Sequence, residues 1–218
     1  MNGEYQRRFR ELLERGAHEL FEDHRDRMDT PDLIVTPNPV DTSDLSLFFR
    51  GVDGGLISLE RGARFNTEDR PTKGGRWGLL SRAKDGGWFN AEYLPQLAAY
   101  VDAILELGYP SERVLFELPG RSLQLDLAIL DDEGQVVVLG EAKRNVAMLD
   151  PLLAGVTERF SGDAPGESSK KRGDEARQLA WRLWTVRAPY CWMIAPGARP
   201  AYRVETEPLV LSPLTSLP

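Results

Sequence analysis

One cysteine and two histidines in 218 residues remove two kinds of chemistry from consideration at once. Cys191 has no partner for an internal disulfide and lies in the apolar run YCWMIA, the setting of a core residue. His18-Glu19 and His24 miss the H-E-x-x-H spacing that puts two zinc ligands on one helical face. No apolar run approaches the ~20 residues of a membrane-spanning helix. The opening MNGEYQRRFR has no hydrophobic signal region, so a cytoplasmic location without a membrane partner is the expectation. Positive charge is also short: 27 Lys and Arg against 34 Asp and Glu leave a net charge of −7. That balance excludes a protein that coats nucleic acid through phosphate neutralisation alone. Two common catalytic signatures are missing as well. No Gly-Lys-Ser/Thr follows Gly162 and Gly166, and Gly120-Arg121-Ser122 lacks the second glycine of a serine-hydrolase elbow.

What the chain does have is an ordinary globular composition, 41% apolar and 28% charged, and one stretch with chemical content. Residues 122–144 read SLQLDLAILDDEGQVVVLGEAKR. Apolar runs at 123–130 and 136–139 flank Asp131-Asp132-Glu133-Gly134, which supplies turn chemistry, so a β-hairpin is predicted. Pairing about that turn sets Asp126 across from roughly Leu139. Glu141 then lies two residues along, at a diagonal separation of ~7–8 Å, within which two carboxylates can share a cation. The period of two puts Val137, Leu139, Glu141 and Lys143 on one face of the second strand. A half-exposed hairpin with solvent-facing charges would be apolar on one parity only. Here Leu127-Ala128-Ile129-Leu130 and Val136-Val137-Val138-Leu139 are apolar on both, as in a sheet covered on both faces. Charges in such a sheet are costly unless they pair or coordinate.

Asp126 followed by Glu141-Ala142-Lys143 resembles the PD-(D/E)xK superfamily of restriction-endonuclease-like nucleases, with Leu125 where the signature has proline. The context is similar too: a helix at 91–108, a strand at 113–118, the hairpin, a helix at 174–187 and a strand at 190–195. The resemblance covers about half the chain. It implies an α/β fold with a central mixed sheet flanked by helices over 91–218, and an N-terminal elaboration over 1–90. It implies hydrolysis of phosphodiester bonds, DNA preferred, in restriction, repair or defence against foreign DNA. Mg²⁺ or Mn²⁺ would be held by Asp126, Glu141 and the main-chain carbonyl of Ala142, hard oxygen ligands that disfavour zinc. Lys143 would orient or deprotonate the attacking water or stabilise developing charge. Glu117, an acid from the preceding strand, would complete the metal site. Gln178 resembles a glutamine that some branches direct at the active site, although their tyrosine four residues on is Arg182 here. Arg121, Arg144 and the run Lys170-Lys171-Arg172 are the candidate phosphate contacts. Cutting both strands of a duplex makes a homodimer or larger assembly the expected state. The competing reading is a nonenzymatic nucleic-acid- or protein-binding module on the same fold.

Elsewhere, Phe9, Leu12, Leu13, Leu20 and Phe21 fall at helical spacing, which predicts an amphipathic helix over 4–27. Residues 29–39 read as an irregular connection. A second hairpin is expected from 45–50 and 56–60 about the glycine-rich 51–55. Residues 71–88 mix glycine, basic side chains and two tryptophans, a loop in which an aromatic could stack on a base or pack inward. Residues 161–173 read as a second Gly/Ser/Lys loop near the motif, and Trp181 and Trp184 as packing residues.

Overall fold

The fold is described from a computed structural model, covering residues 2–21, 40–69, 77–83, 86–118, 124–162, 165 and 174–218. At its centre is a six-stranded mixed sheet in the order β11-β10-β9-β8-β7-β6. Its strands are β6 (Val114–Leu118), β7 (Leu125–Leu130), β8 (Val136–Ala142), β9 (Tyr190–Ile194), β10 (Ala201–Thr206) and β11 (Leu209–Leu214). Only β8 and β9 run parallel; the other neighbours are antiparallel.

Both parities of the hairpin strands are buried because each face of the sheet has its own apolar layer. Val114, Phe116, Leu127, Ile129, Val138, Trp192 and Ile194 pack toward α3 (Tyr93–Leu105). Leu139, Cys191 and Met193 pack toward α4 (Leu149–Phe160) and α5 (Glu175–Val186), with Ala128 on the same side. Neither α4 nor the β10-β11 hairpin is anticipated from the sequence. Pro151 sits in the first turn of α4, where its missing N–H costs nothing.

The hairpin turn forms as read, with Gly134 at φ +77° and the Asp131 carboxylate accepting from the N–H groups of Glu133 and Gln135. Its register differs. A bulge between Ile129 and Leu130 shifts the ladder, so that Leu127 faces Gly140 and Ala128 faces Leu139. The alternation then sets Asp126 directly across from Glu141 rather than diagonal to it.

The N-terminal part packs on the α3 side of this sheet. α1 (Asn2–Phe21) buries the stripe Phe9, Leu12, Leu13 and Ala17, with Phe9 edge-on to both Phe48 and Phe89. Residues 22–39, which include the end of the expected helix, the connection and His24, lie outside the described residues. The expected strand at 45–50 is instead part of helix α2 (Thr42–Asp53). Leu45, Phe48, Phe49 and Val52 have i, i+3, i+4, i+7 spacing, and the Asp41 side chain caps the helix by accepting from Ser43 and Asp44 N–H. The glycines were misleading there. A Cβ on Gly51 would meet Val101 Cγ2 at 2.4 Å, so this glycine permits close α2-α3 packing rather than a turn. β1 (Ile57–Glu60) pairs with β2 (Arg64–Thr67), which pairs with β3 (Trp77–Gly78). β4 (Leu80–Ala83) and β5 (Gly86–Phe89) form a separate hairpin, so what is described of 71–88 is strand rather than loop. Apolar residues on both sides of residue 90 share one core, as where Phe65 meets Phe116 at 5.5 Å.

Gly140 pairs with Leu127 across the hairpin, and a Cβ there would lie 2.7 Å from Leu127 Cβ and 3.2 Å from the Leu127 carbonyl oxygen. Gly140→Ala should therefore spread β7 from β8 and destabilise the protein by about 1–3 kcal/mol, read as a lower urea midpoint with an unchanged slope; an unchanged midpoint would contradict this packing.

Candidate active site

The register brings three acids from adjacent strands into one row. Phe116 pairs with Leu127 and Leu118 with Leu125, which sets Glu117 of β6 across from Asp126 of β7, as Asp126 is across from Glu141 of β8. Glu117 adopts φ +50°, the left-handed region that non-glycine residues occupy at a cost of ~1–3 kcal/mol. Its carboxylate is held from two sides, Oε1 accepting from Gln96 Nε2 on α3 at 3.2 Å and Oε2 from Gln124 Nε2. Gln96 also donates to the main-chain carbonyl of Asp126.

Asp126 Oδ2 accepts from the Ala142 N–H at 2.7 Å. The strand alternation makes that bond available, because the next N–H, of Lys143, turns the other way and donates to the Ile194 carbonyl on β9. Glu141 is 4% exposed and Lys143 8%. Lys143 Nζ lies 2.8 Å from Glu141 Oε1 and 3.3 Å from Glu175 Oε2 of α5, while Arg182 of α5 pairs with Glu141 Oε2. Both oxygens of Glu141 are thus taken by cations.

A cleft of about 930 Å³ opens beside this row. It is lined by Glu117, Gln124, Asp126, Ala142 and Arg144 from in and around the central sheet, by Tyr93 and Gln96 of α3, by Glu175 and Arg182 of α5, and by Ser81, Trp88, Phe89 and Asn90 from the β4-β5 segment. Glu141 and Lys143 do not themselves line it but pair with Arg182 and Glu175, which do. Gln178 shares a helix face with Glu175 and Arg182 and is not among the residues that line the cleft. Arg121 and the run Lys170, Lys171 and Arg172 lie outside the described residues; Arg144 is exposed at the cleft.

The electrostatics follow from burial. Among the described residues, Glu117, Asp126, Glu141 and Glu175 are gathered at one site where Lys143 and Arg182 make the ion pairs, so acidic groups outnumber the paired cations there. Desolvation, with Glu141 adding to it, pushes the Asp126 carboxyl from its ordinary 3.8 to about 8. Burial acts to depress the Lys143 ammonium, but Glu141, Glu175 and Asp126 outweigh it and hold the group above the ordinary lysine range. Arg182 behaves likewise: burial is opposed by Glu141 and then Asp126, and the guanidinium stays charged.

The donor set suits a hard divalent cation: carboxylate oxygens on neighbouring strands, buried, with unbalanced negative charge. As the side chains stand they do not close around one point, and among the described residues no three acidic, His or Cys side chains form a cage. The three carboxylates are held instead by Gln96, Gln124, the Ala142 N–H, Lys143 and Arg182. No family model, characterised protein or solved structure matches this chain, so the reading of the site rests on its own geometry and chemistry.

Gln96 and Arg182 are the site residues that the sequence reading missed or left without a part. Gln96 carried a signal, the one amide inside the buried run 94–101 of α3. Arg182 had none, since its meaning depends on where α5 is docked.

A carboxyl whose folded pKa is raised binds its proton more tightly in the native state than in the unfolded chain. Its ionisation therefore removes stability as pH rises from about 4 toward about 8. In EDTA, Asp126→Asn should gain thermal stability over the native protein as pH goes from 5 to 8, and Mg²⁺ should raise the melting temperature of the native protein only; parallel pH curves would refute this.

Proposed function

We propose that this protein is a Mg²⁺- or Mn²⁺-dependent nuclease with a restriction-endonuclease-like core. The observation that carries the proposal is the alignment of Asp126 with Glu141 across neighbouring strands, with Lys143 reaching Glu141 and Glu117 completing the row. The element order adds support: α3, β6, the β7-β8 hairpin, α5 and β9 follow one another as the PD-(D/E)xK resemblance implies, with α4 inserted before α5.

Asp126, Glu141 and Glu117 would hold the ion, joined by the Ala142 carbonyl. A divalent ion bound there supplies charge neutralisation for the phosphodiester transition state and acidifies its bound water. The chain's own groups do the rest. Lys143, kept charged by its carboxylate neighbours, is suited to orienting water and stabilising developing negative charge rather than to accepting a proton. Arg144, exposed at the cleft, and Arg182 are placed to receive phosphate oxygens. Gln96 fixes Glu117 and the Asp126 backbone together, so both acids keep their places when the ion's charge arrives. DNA as the substrate, a homodimeric state and a setting in restriction, repair or anti-phage defence rest on the resemblance alone.

One observation favours a second reading, a nuclease subunit active only after a partner or activator engages it. Arg182 and Lys143 each hold one oxygen of Glu141, so an arriving ion competes with two cations already paired there.

The test is cleavage of linear, supercoiled and single-stranded DNA and of RNA in Mg²⁺, Mn²⁺ or EDTA. Metal-dependent cutting by the native protein, lowered at least about 100-fold in Asp126→Ala and Lys143→Ala as expected for loss of a charge-stabilising group, supports the enzyme. Metal binding without cutting favours the activated subunit; neither binding nor cutting favours a nonenzymatic module.

A further inference from the structure

The cleft is lined both by acidic side chains and by the exposed ring of Trp88. Trp88 is 49% exposed, and among the described residues every other aromatic side chain with an assigned burial is buried or half-buried. Its neighbour Phe89 is buried and edge-on to Phe9 of α1 at 5.7 Å, so the β4-β5 hairpin is anchored on the N-terminal core through that ring. The pleat then turns Trp88 to the other face, where it pairs in register with Ser81. Ser81 is tied to Asn90 by a 2.9 Å hydrogen bond, and the Asn90 amide donates to the Gly78 carbonyl at 2.6 Å. The indole therefore stands on a braced strand and lines the same cleft as Asp126 and Ala142. Trp77, in the same stretch of sequence, took the inward alternative and packs on Phe65 and Phe116.

Leaving an indole half in water forfeits much of the burial energy that the other aromatics gain. A flat π-face sharing one cleft with carboxylates and with Arg144 fits a ligand with a planar ring at one end and a phosphate at the other. We infer that Trp88 is a base-stacking subsite and that the substrate is a strand with unpaired nucleotides at the cut, such as single-stranded DNA, a flap or a frayed end. In a duplex the base faces are already covered by their neighbours, whereas an unpaired base offers a free face to an indole. The volume is compatible: about 930 Å³ lies within the range of small-molecule pockets, about 300–1,000 Å³, and leaves room for a nucleotide.

This inference rests on the nuclease reading, and the experiment separates the two. Binding of fluorescein-labelled oligothymidine, of an abasic-spacer strand of equal length and of a blunt duplex is measured by anisotropy in EDTA, using the full chain carrying Asp126→Asn. Adding Trp88→Ala should weaken oligothymidine binding about 5- to 150-fold, the span of one base–aromatic stack. Trp88→Phe should keep most of the affinity, and the spacer strand should be insensitive to either change. Unaltered oligothymidine binding in Trp88→Ala, or equal losses on oligothymidine and spacer, overturns the stacking subsite while leaving a nuclease in place. No binding of any strand before Trp88 is touched overturns the stacking subsite alone, and the nuclease reading is then decided by the metal-dependent cleavage test. Because Trp88 is exposed, unchanged melting temperatures are expected in both variants and serve as the folding control.

Discussion

Everything around the cleft follows from putting like charges side by side in a sheet. Antiparallel register sets Glu117, Asp126 and Glu141 in a row, and burial takes away the water that would screen them. Such a row survives only if something answers the charge. Here the answer comes from three directions: the α3 amide of Gln96, the α5 guanidinium of Arg182, and the strand's own Ala142 N–H and Lys143 ammonium. It is incomplete, as the raised Asp126 carboxyl records. Surplus negative charge, hard oxygen donors and a retained cation are the features on which the proposal of a divalent ion and a phosphate substrate rests.

The two layers flanking the sheet hold these groups to their places. α3, with its buried run from Leu94 to Val101, carries Gln96 to one end of the row. α5 reaches the other through Glu175 and Arg182, two turns apart on one face. The N-terminal part adds more than bulk. Phe9, Phe48 and Phe65 extend the α3-side core, and the β4-β5 hairpin, fixed through Phe89, supplies the wall that carries Trp88. The Asp44 carboxylate, buried in α2, receives Arg199 and the Gly197 N–H from the turn after β9, which ties the N-terminal helices to the far end of the sheet.

Much of the sheet was legible because its signals are local. The turn Asp131 to Gly134, the two-parity apolar runs and the E-x-K spacing are each contained in a few residues. The offset of the ladder was not legible, since a bulge at Ile129/Leu130 leaves no mark in composition, and it changes a diagonal pair of acids into a direct one. α2 was misread because Gly51 and Gly54-Gly55 resemble a turn; only the proximity of Val101 shows that one of them serves helix packing. The part played by Arg182 depends on the docking of a helix some forty positions from its partner, which no local pattern encodes. Gln178, chosen by resemblance, lies on the same face and does not reach the cleft.

The central claim is that Glu117, Asp126 and Glu141 bind one or more divalent ions. The most direct measurement is an anomalous difference map from crystals of the full chain grown or soaked with Mn²⁺. A peak bounded by those three carboxylates, with Arg182 drawn off Glu141, is the result expected; crystals whose Mn²⁺ lies elsewhere, with the row still held by Gln96, Lys143 and Arg182 alone, would contradict it.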